Sequence, residues 1–356
     1  MTEQENPSPS TNYDPKLART ELVYTTALGW ADDRFEYWIE RAEREFDWKL
    51  LRAPDLANTI LDRDVIVVGG SGRHAFAAVR KGFRNVTYVD LTEGNIARAD
   101  RLAQEHGIKN LATFLGDFLE WESTGHQADL VVMNGVMQHV SAPDYALRKA
   151  VALANEGGVV YFDCYSAGSL YFLINEWLRT FFGQEAFDYL MRQIDLLGLD
   201  AVELSYTTAT MTERLSDDLF VPYIACYVEQ HIVDTLVAAG FDILHRDYCP
   251  IINHNLPRYD SYQFLVRRTG DSDPSAIQFE PTSNFDMDYS LFPFVEPTLR
   301  LMRSVSETVA SDRSIRDTVT FGLMLRFHDW TARKLDGRTA HAELREYLRQ
   351  FSGSSA

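Results

Sequence analysis

The residues best placed for chemistry fall in five short stretches. Val67-Val-Gly-Gly-Ser-Gly-Arg-His-Ala75 lies between an apolar run and a helical pattern. Glycines there let the backbone turn tightly and approach a ligand without Cβ interference. The helix that follows adds unpaired N–H groups and the positive end of its dipole, which suits an anionic or carboxylate-bearing ligand. Gly69, Gly70, Ser71 and Gly72 are the candidate contacts, and Gly70 to Ala75 also satisfies the dinucleotide pattern G-x-G-x-x-[GA]. Asp90, followed by Leu91, closes the next apolar run, where an acid accepts hydrogen bonds from ribose hydroxyls. Gly116-Asp117-Phe118 follows a third run, and Asn134-Gly135 and His139 follow a fourth. Tyr165 follows a fifth. The glycine turn and Asp90 alone are compatible with either a nicotinamide dinucleotide or S-adenosylmethionine (AdoMet).

These residues need elements to hold them. Asp64–Gly69 is a short continuous apolar run of the kind buried on both faces of a parallel sheet. Asn85–Asp90, Leu111–Leu115, Asp129–Met133 and Gly158–Asp163 repeat the type. Helical patterns at Arg73–Lys81, Glu93–His106 and Pro143–Ala154 separate them. Alternation at this spacing predicts an α/β fold, a doubly wound Rossmann-like sheet. Phe241–His245 and Ser261–Val266 read as an antiparallel closing hairpin. The expectation is therefore seven strands, parallel with one antiparallel closing strand, plus helical N-terminal, insertion and C-terminal additions. Residues 1–15 read as a disordered tail and 16–61 as an aromatic-rich helical cap over a sheet edge or the mouth of the site. The sheet domain occupies 62–268 with a helical insertion at 166–220. Residues 269–284 read as a linker, and 285–356 as a C-terminal helical extension.

Composition narrows the function. The 356 residues carry 34 Lys+Arg and 52 Asp+Glu, a formal charge of −18. That balance argues against nucleic acid and against an anionic membrane surface as partners. No apolar run reaches the ~18 residues that cross a bilayer. The polar, Pro/Ser-rich start lacks the features of a secretory signal. The three cysteines form no C-x-x-C, which disfavours a disulfide framework and a zinc site. A cytoplasmic location is the expectation, and no metal is expected.

From the third run onward the sequence resembles the class I AdoMet-dependent methyltransferase family. The resemblance rests on Gly116-Asp117-Phe118, on Asp129 to Val140, and on the helix, Gly157-Gly158 and strand that follow. It covers about residues 62–165, with 221–268 matching the closing region. It implies AdoMet as cofactor, with Asp117 at the adenine amino group, Phe118 flanking the ring, and Asn134-Gly135 along the methionine portion. His139 becomes a candidate general base and Tyr165 a candidate acceptor contact, while Tyr24 of the cap could close over the methionine end. The family usually carries an acid where this sequence has Ile66, and a glycine where it has Val68. Those departures keep an alternative in play, in which AdoMet donates or cyclises its aminocarboxypropyl group and methylthioadenosine leaves. A nicotinamide oxidoreductase leaves Gly116-Asp117 and the hairpin unexplained, and nothing positive favours a non-catalytic binding protein. The aromatic additions favour a small organic acceptor. The C-terminal helices fit a homodimer interface equally well as a brace.

Overall fold

The computed structural model describes residues 32–50, 52–123, 125–180, 221, 223–247, 261–290, 292–333 and 335–353. Tyr24, the 1–15 tail, the insertion from residue 181 to 220 and the loop of the closing hairpin lie outside them.

Among the described residues, eight strands form one sheet: β1 (Asp64–Val68), β2 (Asn85–Asp90), β3 (Leu111–Leu115), β4 (Ala128–Met133), β5 (Ala154–Ser166), β6 (Cys226–Tyr227), β7 (Asp242–Asp247) and β8 (Ser261–Arg267). Their order is β3-β2-β1-β4-β5-β8-β7, with β6 paired to β5 off that path. Strands β1 to β5 run parallel, and β8 is antiparallel to both β5 and β7. The seven-stranded arrangement with one antiparallel strand is thus present, and the two-residue β6 is added to it.

The apolar runs are continuous because both faces are covered. In β1, Val65 and Val67 face one core while Ile66 and Val68 face the other. The first core takes α1 (Asp32–Leu50), α3 (Arg73–Lys81) and α4 (Glu93–Glu105), with the short α2 (Pro54–Asn58) between α1 and β1. The second takes α5 (Pro143–Leu153) and α7 (Glu229–Ala238). Rather than capping a sheet edge, the described part of the N-terminal segment lies on the sheet face. Phe46, Ala53 and Leu56 pack there with Leu130, Val132, Tyr161 and Leu265. Glu36 and Asp47 of α1 bind Arg80 and Lys81 of α3.

Strand β5 begins four residues earlier than its apolar run suggests. Asn155, Glu156 and Gly157 form a bulge against β4, with the register shifting between Ala128 and Leu130. A Cβ on Gly158 would lie 2.8 Å from Asn155 O and 3.2 Å from Ala128 O, so the bulge closes only around glycine.

Helix α6 (170–180), α8 (Glu296–Val309), α9 (Arg313–Arg333) and α10 (Gly337–Arg349) build a further core. Trp177 Nε1 donates to Ser306 Oγ at 2.5 Å and ties α6 to α8. Residues 269–284, expected as a linker, are fastened to the sheet domain: Thr269 and Ser272 hydroxyls donate to Gly240 O, and Ile277 and Phe279 are buried. Among the described residues no helix is long and apolar enough to cross a membrane.

His341 sits inside the C-terminal core, with Nδ1 3.0 Å from Thr298 Oγ1. Burial, helped by Arg345, pushes its pKa down to about 3. The unfolded chain therefore binds this proton and the native one does not between about pH 6.5 and 3. Stability is whole above that window and falls as the pH drops through it. At pH 5 the loss is about 2 kcal/mol. Thermal melts at pH 7 and pH 5 should show this drop, and His341→Leu should flatten it.

Candidate active site

The sheet order places the chemistry-bearing residues in a row at the carboxyl ends of the strands, where open α/β sheets bind ligands. From β3 to β5 the row is Asp117, Asp90, the glycine turn, the segment Asn134–His139, and Tyr165.

The glycine turn has a backbone few sequences could adopt. Gly69, Gly70, Ser71 and Gly72 have φ of 65°, 67°, 58° and 81°. Ser71 is the one non-glycine residue with positive φ among those described. Gly69 N donates to Val89 O at 2.8 Å, which hooks the turn to β2. A Cβ at Gly69 would meet Val136 at 2.9 Å, and one at Gly72 would meet the Tyr88 ring at 3.3 Å. The turn is thus squeezed between β2 and the segment after β4. His74, buried in the first turn of α3, bonds Glu45 of α1 at 2.8 Å and couples the N-terminal helix to it.

Asp90 ends β2 at 6% exposure. Its Oδ1 accepts from Thr92 N at 2.8 Å, and its Oδ2 accepts from Tyr88 Oη and from Asn95 Nδ2 at 3.2 Å. Burial raises its pKa, while these donors oppose the rise. The Thr92 side chain is a further donor to this carboxylate, so a ribose hydroxyl bound here would share or displace one of these contacts. Leu91, half-buried, follows it. Asp90→Ala should lower AdoMet affinity by about one to two decades, the loss of a hydrogen bond to a charged group. It should also destabilise the fold, because Tyr88 Oη loses its partner in the core. Tyr88→Phe keeps the carboxylate and should leave affinity within about threefold. Calorimetry on both variants separates the two effects.

Asp117 is half-buried, with Oδ1 accepting from Leu119 N at 2.9 Å, and burial raises its pKa. Phe118, expected to flank the adenine ring, is buried at 5% exposure. It packs in the second core, beside Trp121 and 5.2 Å beneath the Lys149 ammonium. After β4, Asn134 Oδ1 accepts from Tyr161 Oη at 3.2 Å, and exposed Gly135 donates its N–H to Asp163 Oδ1 at 2.5 Å.

His139 and Tyr165 meet. His139 Nδ1 lies 3.2 Å from Tyr223 O, and Nε2 lies 3.4 Å from Tyr165 Oη. The rings are perpendicular, with centroids 5.5 Å apart. A carbonyl only accepts, so Nδ1 carries the hydrogen and Nε2 of the neutral ring accepts from the tyrosine. Both residues are buried, at 7% and 1% exposure, and Tyr165 stacks on Phe172 with centroids 4.2 Å apart.

Sequence reasoning passed over Tyr88, Asp163 and Tyr223. Tyr88 and Asp163 sit in apolar strands and read as core or strand-end residues. The carbonyl of Tyr223 reaches the site from a stretch with no period. Ile66 and Val68, read as departures with a bearing on ligand binding, are strand residues buried in the second core, and packing accounts for their apolar character.

The turn, the buried acid at β2 and the half-buried acid after β3 fit a nucleoside cofactor lying across the strand ends. Residues 66–158 match the family described as a methyltransferase domain. These residues, which include the glycine turn, Asp90, Asp117 and His139, form a methyltransferase domain. Among solved structures it is similar to the magnesium protoporphyrin IX methyltransferase of Synechocystis PCC 6803, at 16% identity over 71% of this chain and 100% of that one, with a TM-score of 0.43. It is also similar to the 1,6-didemethyltoxoflavin-N1-methyltransferase of Burkholderia thailandensis, at 17% identity over 71% and 88%, with a TM-score of 0.42. A third is PKMT2 of Rickettsia typhi, at 15% identity and a TM-score of 0.44, where the match covers 60% of this chain and half of that one.

Proposed function

We propose that the protein transfers the AdoMet methyl group to an O–H or N–H of a small organic molecule. The observation that carries this reading is the His139–Tyr165 pair, at the end of a row that begins with the nucleoside-binding acids. When bound, AdoMet supplies a methyl carbon made electrophilic by its sulfonium. Asp117 and Asp90 hold adenine and ribose, and the glycine turn accommodates the chain between β1 and β4. The methionine portion runs past Asn134-Gly135, so the reacting end falls between β4 and β5. There Tyr165 Oη accepts the proton of the acceptor and passes its own to His139 Nε2, leaving an imidazolium anchored by Nδ1–H to Tyr223 O. Such paired transfer contributes about two to four decades in rate.

A small acceptor is supported by α6, which packs Phe172 on Tyr165 and narrows the approach beside β5. With Ile66 and Val68 assigned to the core, no observation favours aminocarboxypropyl transfer. Incubation with AdoMet and a panel of small phenols and amines, followed by mass spectrometry of the nucleoside product, tests the reading. S-adenosylhomocysteine supports it, and methylthioadenosine would overturn it.

A further inference from the structure

Lys149, half-buried on α5, reaches across to the turn that follows β3. Its Nζ donates to Leu119 O at 3.1 Å and to Trp121 O at 2.6 Å, with the Phe118 ring centroid 5.2 Å away. Asp117 shapes the same turn from its start. Its carbonyl accepts from Glu120 N at 3.1 Å and from Trp121 N at 2.8 Å, and its Oδ1 accepts from Leu119 N at 2.9 Å. Leu119 is thus gripped twice, by Asp117 at its N–H and by Lys149 at its carbonyl. Among the described residues Lys149 makes no ion pair: carbonyls and a ring face hold it, and Asp117 is the charge that acts on it. Burial lowers the Lys149 pKa, and Asp117 opposes that fall. Fixing so long a side chain over one turn costs rotamer entropy, which two charge-assisted hydrogen bonds offset.

We infer that Lys149 is a positioning residue for base recognition: it fixes the turn that presents Asp117 to the adenine amino group, and so sets the preference for adenine over a base without that group. The inference rests on the placement of adenine at Asp117 proposed above. An ionised carboxylate only accepts, so it suits a base edge that donates and repels one that carries a carbonyl. That choice is sharp only while the carboxylate keeps one direction, because hydrogen bonds weaken steeply as they bend. Leu119 N engages Oδ1, so the direction of the carboxylate is tied to the Leu119 peptide. Lys149 holds the other side of that residue and the exit of the turn at Trp121. It does this from α5, beside the buried Phe118, and needs no contact with the cofactor.

S-adenosylhomocysteine and S-inosylhomocysteine differ at that edge of the base, an amino group against a carbonyl, and test this without knowledge of the acceptor. Calorimetry with both ligands on wild type, Lys149→Met, Lys149→Gln, Lys149→Arg and Asp117→Asn gives the comparison. Wild type should prefer S-adenosylhomocysteine by about one to two decades, the effect of one hydrogen bond to a charged group. Lys149→Met should cut that ratio about tenfold. Lys149→Gln, which keeps one donor group for the two carbonyls, should cut it by less. Lys149→Arg, with its fork of donors, should hold it within about threefold of wild type. Asp117→Asn keeps an oxygen for Leu119 N and offers an amide N–H to the base, so it should shift the preference toward S-inosylhomocysteine. Melting temperatures verify that each variant is folded. A folded Lys149→Met or Lys149→Gln that weakens both ligands equally, or leaves the ratio unchanged, would overturn the inference while Asp117→Asn still shifts the preference. No preference in wild type, and none created by Asp117→Asn, would instead defeat the placement of adenine itself, and the inference with it.

Discussion

His139→Ala is expected to lower turnover by about two to four decades while AdoMet affinity stays within a few-fold of wild type. The size follows from the pair the residue forms. Its Nδ1–H points to Tyr223 O, and Nε2 has Tyr165 Oη as a neighbour at 3.4 Å. Bonds of this length in a ligand-free site commonly tighten when substrate binds. The base works as the neutral ring, so the wild-type rate should rise with pH as the imidazole loses its proton. Alanine should abolish that rise. Tyr165→Phe should cost a similar factor, because the relay is broken at its first link, and the double variant should lose little more than either single one. A pH–rate profile at saturating AdoMet, run on all four proteins, checks each part. A phenylalanine variant with wild-type turnover would remove Tyr165 from the relay and leave His139 to act directly.

Gly69→Ala is expected to weaken AdoMet binding by about a hundredfold. At φ 65° and ψ −150° the residue occupies a region open almost only to glycine, where a side chain costs about 1–3 kcal/mol. The added Cβ would also press on Val136 at 2.9 Å, in the segment that leads to Gln138 and His139. The chain relieves both by re-forming the turn, and the backbone then no longer matches the cofactor. Gly157→Ala is the control. Gly157 also has a positive φ, 76°, but a Cβ there meets nothing within 4 Å, and it lies at the opposite end of β5. It should cost about 1 kcal/mol of stability with unchanged AdoMet affinity. Calorimetry beside thermal melts separates the outcomes, and equal affinity losses in the two variants would point to global destabilisation.

Much of the fold was legible because buried parallel strands write themselves as continuous apolar runs. Asn85–Asp90, Leu111–Leu115 and the helix Arg73–Lys81 appear with the boundaries their periodicity gives. The His139–Tyr165 pair was legible as two separate candidates, since each lies at the carboxyl end of a strand. Their contact was not, because it depends on how far each chain continues past the sheet. Strand β6 escaped because two residues have no period. Phe118 is ambiguous between ligand and core in the sequence, and its packing beside Trp121 and beneath Lys149 is visible only in the fold.

The pairing of β5 has a consequence for the order in which the enzyme becomes competent. Where β4 stops, β6 takes its place: Tyr165 pairs with Cys226 on one side and with Ser261 on the other. His139 is held by the carbonyl of Tyr223, immediately before that same short strand. A nascent chain that has emerged only through Ser166 already contains the glycine turn, Asp90 and Asp117, all within the contiguous β1–β5 block. It holds neither the anchor of its base nor the edges that fix its tyrosine. On the proposed reading, the cofactor residues lie within β1–β5, whereas the His139–Tyr165 relay waits on segments that follow later in the sequence, and such long-range pairings are slower to close.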